Sequence, residues 1–267
     1  MKKVNFFKSN ISLPNKKSFL FLIITIGIVC AGVFAYKLLT TRPDYVIVRI
    51  KGSPGNWWWV TPRPPDWLAE AVHKGDKEYN SLGVPTAEVL TTNIYDAGGS
   101  NKDVYITVKL SARKNSRTNK YRYKGESLEI GGPIVLQLNQ AFFPGMVTKI
   151  TPGEIPPQRK ELTKRLRVKI EDTWSWVFDS FNPKDVMTDG DGKNIATIID
   201  KSMEPAIKEV ETSQGMINQA LSPIKKDIYV TLDLVVENRS GDFVFREEQY
   251  IKVGNRVWIQ FPNYNFN

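Results

Sequence analysis

A nucleophile and its general base cannot be paired by inspection in this chain, which holds one histidine, His73, and one cysteine, Cys30. Hydrolysis through a serine, threonine or cysteine nucleophile needs a group to take the proton. His73 stands beside Lys74, and spacing ties no serine or carboxylate to it. The 28 acidic residues leave a carboxylate pair open, but nothing marks one. The expectation is a non-catalytic protein without a cofactor. Asp189-Gly190-Asp191-Gly192 hints at calcium, yet the loop pattern wants an oxygen ligand where Lys193 stands and a bidentate glutamate where Asp200 stands. A turn without a metal is the reading that follows.

Binding chemistry is easier to place. In Trp57-Trp58-Trp59 the outer two residues share one face of a strand and Trp58 the other. The run Trp174-Ser175-Trp176-Val177 repeats the outer pair with serine between. Trp174 and Trp176 are therefore expected in a core, and Trp58 is left for stacking on a sugar, meeting lipid headgroups or touching a partner. Residues 113–124 form a polar hairpin with Arg113, Lys114, Arg117, Lys120, Arg122 and Lys124 and no acid. Its counterpart, Glu237 to Glu248, carries Glu237, Asp242, Glu247 and Glu248 against Arg239 and Arg246. Two readings fit: a solvated loop, or a basic surface that meets the acidic hairpin of another copy, anionic lipid or wall polymer.

The elements that hold these residues come from a repeat. Lys102-Asp103-Val104-Tyr105-Ile106-Thr107-Val108-Lys109-Leu110 returns as Lys226-Asp227-Ile228-Tyr229-Val230-Thr231-Leu232-Asp233-Leu234, alternating with the period of a two-faced strand. Ile130-Gly131-Gly132-Pro133-Ile134-Val135-Leu136 returns as Val253-Gly254-Asn255-Arg256-Val257-Trp258-Ile259. The pattern predicts a mainly β protein with short helices: two tandem, duplicated, small β-barrel-like modules. A short helix is expected over Asp66–Gly75, with Asp66 as its cap. The modules are placed at 44–150 and 166–267, joined by a linker at 151–165. The second is expected to lose most of that helix, to gain an insertion at 201–225 with short helical pieces, and to lack its last strand. An open edge invites pairing, so a strand of this chain or of a partner is expected to fill it.

Residues 1–43 carry seven of the nine net positive charges, leaving +2 for the rest, a poor footprint for nucleic acid. From Ser18 to Tyr36 no residue is charged, and about 20 apolar residues span a bilayer core. Residues 18–40 are expected to be a single-pass membrane helix. The five lysines ahead of it put 1–17 in the cytoplasm and the bulk of the chain outside the cell membrane. Cleavage after Val33-Phe34-Ala35 is the competing reading.

The apolar anchor, the short helix, the Lys102 strand and the ending Gly132-Pro133-Ile134-Val135-Leu136 with Gly145-Met146-Val147-Thr148-Lys149-Ile150 together resemble a bacterial family. Its members have one amino-terminal membrane helix and a small extracytoplasmic β domain of unknown function. The likeness covers residues 18 to 150. The ending is also similar to barrel endings of periplasmic adaptor proteins, without their long coiled-coil hairpin. The resemblance implies no catalytic residues. The functional expectation is a membrane-anchored binding or scaffolding protein of the cell envelope that engages another envelope protein or forms a homo-oligomer. The alternative is a module for carbohydrate or cell-wall polymer that uses an exposed tryptophan.

Overall fold

The computed structural model describes residues 16–40, 44–53, 62–156, 159–211, 215, 217–261 and 264–266. Trp58 and its two neighbours lie outside them. The chain divides into two compact units, Met1–Asp44 and Tyr45–Asn267. In the first, α1 (Lys16–Thr40) has 25 residues, about 37 Å at 1.5 Å per residue. Its described apolar side chains, such as Leu20, Phe21, Ile24 and Ile28, are exposed. Among the described residues no helix is long and apolar enough to cross a membrane.

The second unit is mainly β. Its first half contains β1 (Asp44–Gly52), α2 (Asp66–Glu70), β2 (Lys77–Tyr79), β3 (Pro85–Asp96), β4 (Lys102–Lys114), β5 (Tyr121–Tyr123), β6 (Glu126–Ser127), β7 (Pro133–Gln137) and β8 (Phe142–Pro152). The sheet order is β2-β3-β4-β1-β8-β7, with β5 and β6 folded off β4. The end strands β2 and β7 approach each other, so the sheet is a nearly closed barrel. Val46, Val48 and Ile50 of β1, Val104, Ile106 and Val108 of β4, and Leu136 and Phe143 fill it, each fully buried.

The second half contains β9 (Glu161–Trp174), α3 (Ser175–Asp179), β10 (Val186–Thr188), β11 (Asn194–Glu211), β12 (Ile217–Arg239), β13 (Asp242–Phe245), β14 (Gln249–Tyr250), β15 (Ile259–Phe261) and β16 (Tyr264–Phe266). Its local bonds match those of the first half. The Gly75 N–H donates to Val89 O and the Val89 N–H to Asp76 O; Lys184 donates to Ile198 O and Ile198 to Asp185 O. In β3/β4 the register runs Val89↔Val108 and then Thr91↔Thr107; in β11/β12 it runs Ile198↔Leu232 and then Asp200↔Thr231. A β-bulge thus interrupts both ladders at the same place.

Four expectations need correction. The helix expected over Asp66–Gly75 is the single turn α2, preceded by Pro65 in extended conformation, and Asp66 makes no capping hydrogen bond. The second half keeps this turn as α3, so Trp176 and Val177 correspond to Trp67 and Leu68. The insertion at 201–225 is not helical: β11 and β12 continue through it as an antiparallel ribbon to Glu211↔Ile217. The linker is shorter than 151–165, because β8 runs to Pro152 and β9 starts at Glu161.

β15 pairs with β16 as β7 pairs with the start of β8, Ile259↔Phe266 against Leu136↔Phe143. β1 is enclosed between β4 and β8, whereas β9 pairs with β12 alone. No strand of this chain among the described residues fills that edge, which overturns the expectation of an internal filler.

Candidate interaction surface

β9 alternates along its whole length. Leu162, Leu166, Val168 and Ile170 turn towards the second core and are half-buried, while Thr163, Arg165, Arg167 and Lys169 face outward. The outward cations are partly neutralised across the sheet. Arg165 makes a two-pronged contact with Asp233 at 2.8 Å, and this pair holds the Asp233 carboxyl below the usual range. Lys169 lies 2.9 Å from Asp227. The Arg167 guanidinium stacks 4.3 Å from the Tyr229 ring centroid and has no carboxylate partner among the described residues. A bare row of N–H and C=O groups beside such a stripe is a template for another strand.

Beyond the end of β9 only two strands remain. Trp174 is opposite Lys225, and past that point β11 and β12 form an arm in which Ile207 faces Leu221. These two are 60% and 68% exposed. A two-stranded ribbon is marginal in water without something packed on it. At the base of the arm stand Trp174 and Trp176, 48% and 60% exposed, which overturns their expected place in the core. β9 ends at Trp174 and α3 starts at Ser175, so the period-two reading of the pair does not apply. The Lys225 ammonium lies 3.8 Å from the Trp174 ring centroid. We predict that Trp176→Ala changes the unfolding free energy by less than about 0.5 kcal/mol. Phe181→Ala, in a site with no exposure, should cost about 3–5 kcal/mol; urea denaturation measures both.

The basic hairpin lies elsewhere, in the first half. Arg113 and Arg122 are direct cross-strand partners, an apposition of like charges that weakens a ladder. Lys114 lies over Tyr121, Lys120 pairs with Glu129 at 2.7 Å, Arg122 donates to Gly125 O, and Arg117 points to solvent on the turn. These five form one exposed basic surface. The structure does not bring them to β9 or to the arm.

Their acidic counterparts differ in burial. Glu247 sits in the seam between the halves with its side chain 7% exposed, accepting from Arg49 Nη2 at 2.7 Å, from Arg239 at 2.9 Å and from Arg159. Burial pushes the Glu247 carboxyl up, but Arg49 and Arg159 outweigh it, so its pKa is lowered. Burial lowers the Arg49 guanidinium to about 10. Glu237 is held by Arg239, and Glu248 by Lys51. Asp242 pairs with Lys252 at 3.0 Å on the surface, so each acid of this hairpin already has a cationic partner within the chain. Sequence reasoning missed Arg49, an alternating charged residue on a strand; its nearly full burial follows from a partner 198 residues away.

Asp189 is a turn residue. Its Oδ1 accepts the N–H groups of Asp191 and Lys193, as Asn80 does for Leu82 and Val84, and no metal-holding group is found among the described residues. Gly190 lies against β3: its N–H donates to Ile94 O at 2.8 Å, and an added Cβ would stand 2.7 Å from Ile94 Cβ. His73 lines a cleft of ≈ 960 Å³ with Asp96, Lys102 and Asp191, where Lys102 is already paired with Asp96. Comparison with protein-family models, curated proteins and solved structures gives no match for this chain.

Proposed function

We propose that the chain is a membrane-anchored, extracytoplasmic binding or scaffolding protein without catalytic activity. In this reading it is built by duplication of one β module, whose second copy has been opened for interaction. The observation that carries it is the bare outer edge of β9, in the place where the first half encloses β1 under β8. The shared bulge and turn bonds of the two halves support duplication. The exposed apolar side chains of α1, with the uncharged run from Ser18 to Tyr36, support a membrane anchor, since such a surface is stable against lipid. The positive residues ahead of it favour a cytoplasmic start.

A second reading, binding of glycan or wall polymer, now rests on the exposed indoles of Trp67 and Trp176. One test separates the two. A photoreactive amino acid placed at Arg167 or Leu221 in the full chain should crosslink to protein in living cells, and Glu126, a distant exposed site, should not. Loss of purified wall polymer binding on Trp176→Ala, with no crosslink to protein at either position, would replace the first reading by the second.

A further inference from the structure

The reading of β9 as an interaction edge leaves its occupant open, and the second half itself points to one. β11, β12 and β9 lie side by side, so this ribbon has two outer edges. In the first half both are covered, β1 by β8 and β3 by the Gly190 turn. In the second half β9 is bare, and β11 is bare beyond its short pairing with β10, which ends at Thr197. The edges differ in charge. β9 presents Arg165, Arg167 and Lys169 along its middle, with Glu161 and Glu171 towards the ends of the same face. β11 presents Asp200, Glu204 and Glu209, all exposed and in no ion pair among the described residues. The lysines between them are engaged: Lys201 donates to Phe178 O, and Lys208 lies 3.6 Å from Asp172.

We propose that a second copy of this chain fills the β9 edge, with the β11 edge of one molecule laid against β9 of the next in a head-to-tail continuation of the sheet. Opposite charges across a ladder favour it and like charges oppose the alternative. Pairing β9 with another β9, antiparallel and centred on Leu166, Arg167 or Val168, would set Arg165 against Arg167, Arg165 against Lys169, or Arg167 against Lys169. The strand sense also follows. β9 and β11 both run antiparallel to β12 and hence parallel to each other, so a repeat that keeps its direction makes the new pairing parallel. A head-to-tail contact of this kind closes into a ring or extends as a filament.

Disulfide trapping in the full chain, in native membranes and with Cys30→Ser as background, tests this. Arg167→Cys is combined in turn with Asp200→Cys, Ser202→Cys and Glu204→Cys. Within one chain β12 lies between the two strands, and a disulfide formed inside a chain leaves it monomeric, so only a contact between copies gives a ladder. At least one pair should give a ladder of dimers, trimers and larger species after oxidation, while Arg167→Cys alone stays monomeric. A dimer from Arg167→Cys alone, or no ladder from any pair, overturns the assignment. If no pair gives a ladder but the photoreactive group at 167 captures a different protein, the second copy is wrong and the interaction edge stands. Absence of both removes the edge as well.

Discussion

Glu247→Ala is expected to lower the unfolding free energy by about 3–5 kcal/mol, since removing one partner strands buried charges. Arg49 would be left with its side chain 9% exposed beside Arg159 and Arg239. Urea denaturation of the full chain in detergent measures the loss, and Glu237→Ala, on a more exposed acid, should cost less. The backbone offers an independent check. Glu247 holds φ 73°, and the same turn in the first half places Gly125 at φ 88°. A side chain in that region costs about 1–2 kcal/mol, so Glu247→Gly should be more stable than Glu247→Ala by about that amount. The pH dependence follows from the lowered Glu247 pKa. The folded state binds this proton less readily than the unfolded state. Its contribution is complete above the ordinary carboxylate range, near 4.3, and is lost as pH falls through the lower folded value. Glu247→Gln should therefore flatten the acid side of the stability profile.

Gly190→Val should cost about 1–3 kcal/mol or more by overpacking, because its Cβ would meet Ile94 Cβ at 2.7 Å and Ile94 O at 3.4 Å. Ile94→Gly removes that Cβ and leaves only the contact with Ile94 O. The double variant should thus recover part of the loss, and a cycle of thermal denaturation measurements should give a coupling of about 0.5–3 kcal/mol. Simple additivity would show that the halves do not meet there.

The recurring strand pattern was readable because burial imposes a period of two, and Val104, Ile106 and Val108 align with Ile228, Val230 and Leu232 on that period. The second faces were not. Tyr105 and Thr107 are buried in the first half while Tyr229 and Thr231 remain half-exposed, a difference set by the neighbouring half. The arm departs from its expected helical pieces because Ala206, Lys208, Glu209, Gln219, Ala220 and Leu221 favour helix in isolation, and pairing between β11 and β12 overrides that preference. Trp174 and Trp176 were misread because spacing alone does not mark where a strand gives way to a helical turn. The β9 edge was legible only in outline, because the sequence shows which strand pattern recurs and not which neighbour pairs with it.

The seam formed by Gly190 on Ile94 and by Glu247 on Arg49 joins residues on opposite sides of an eight-residue connection, from Gly153 to Lys160. Nothing in those two contacts requires both sides to come from one molecule. Exchange of the carboxyl half between two copies would keep both contacts, and chain concentration would then set, by mass action, the balance between a self-contained fold and a reciprocally swapped pair.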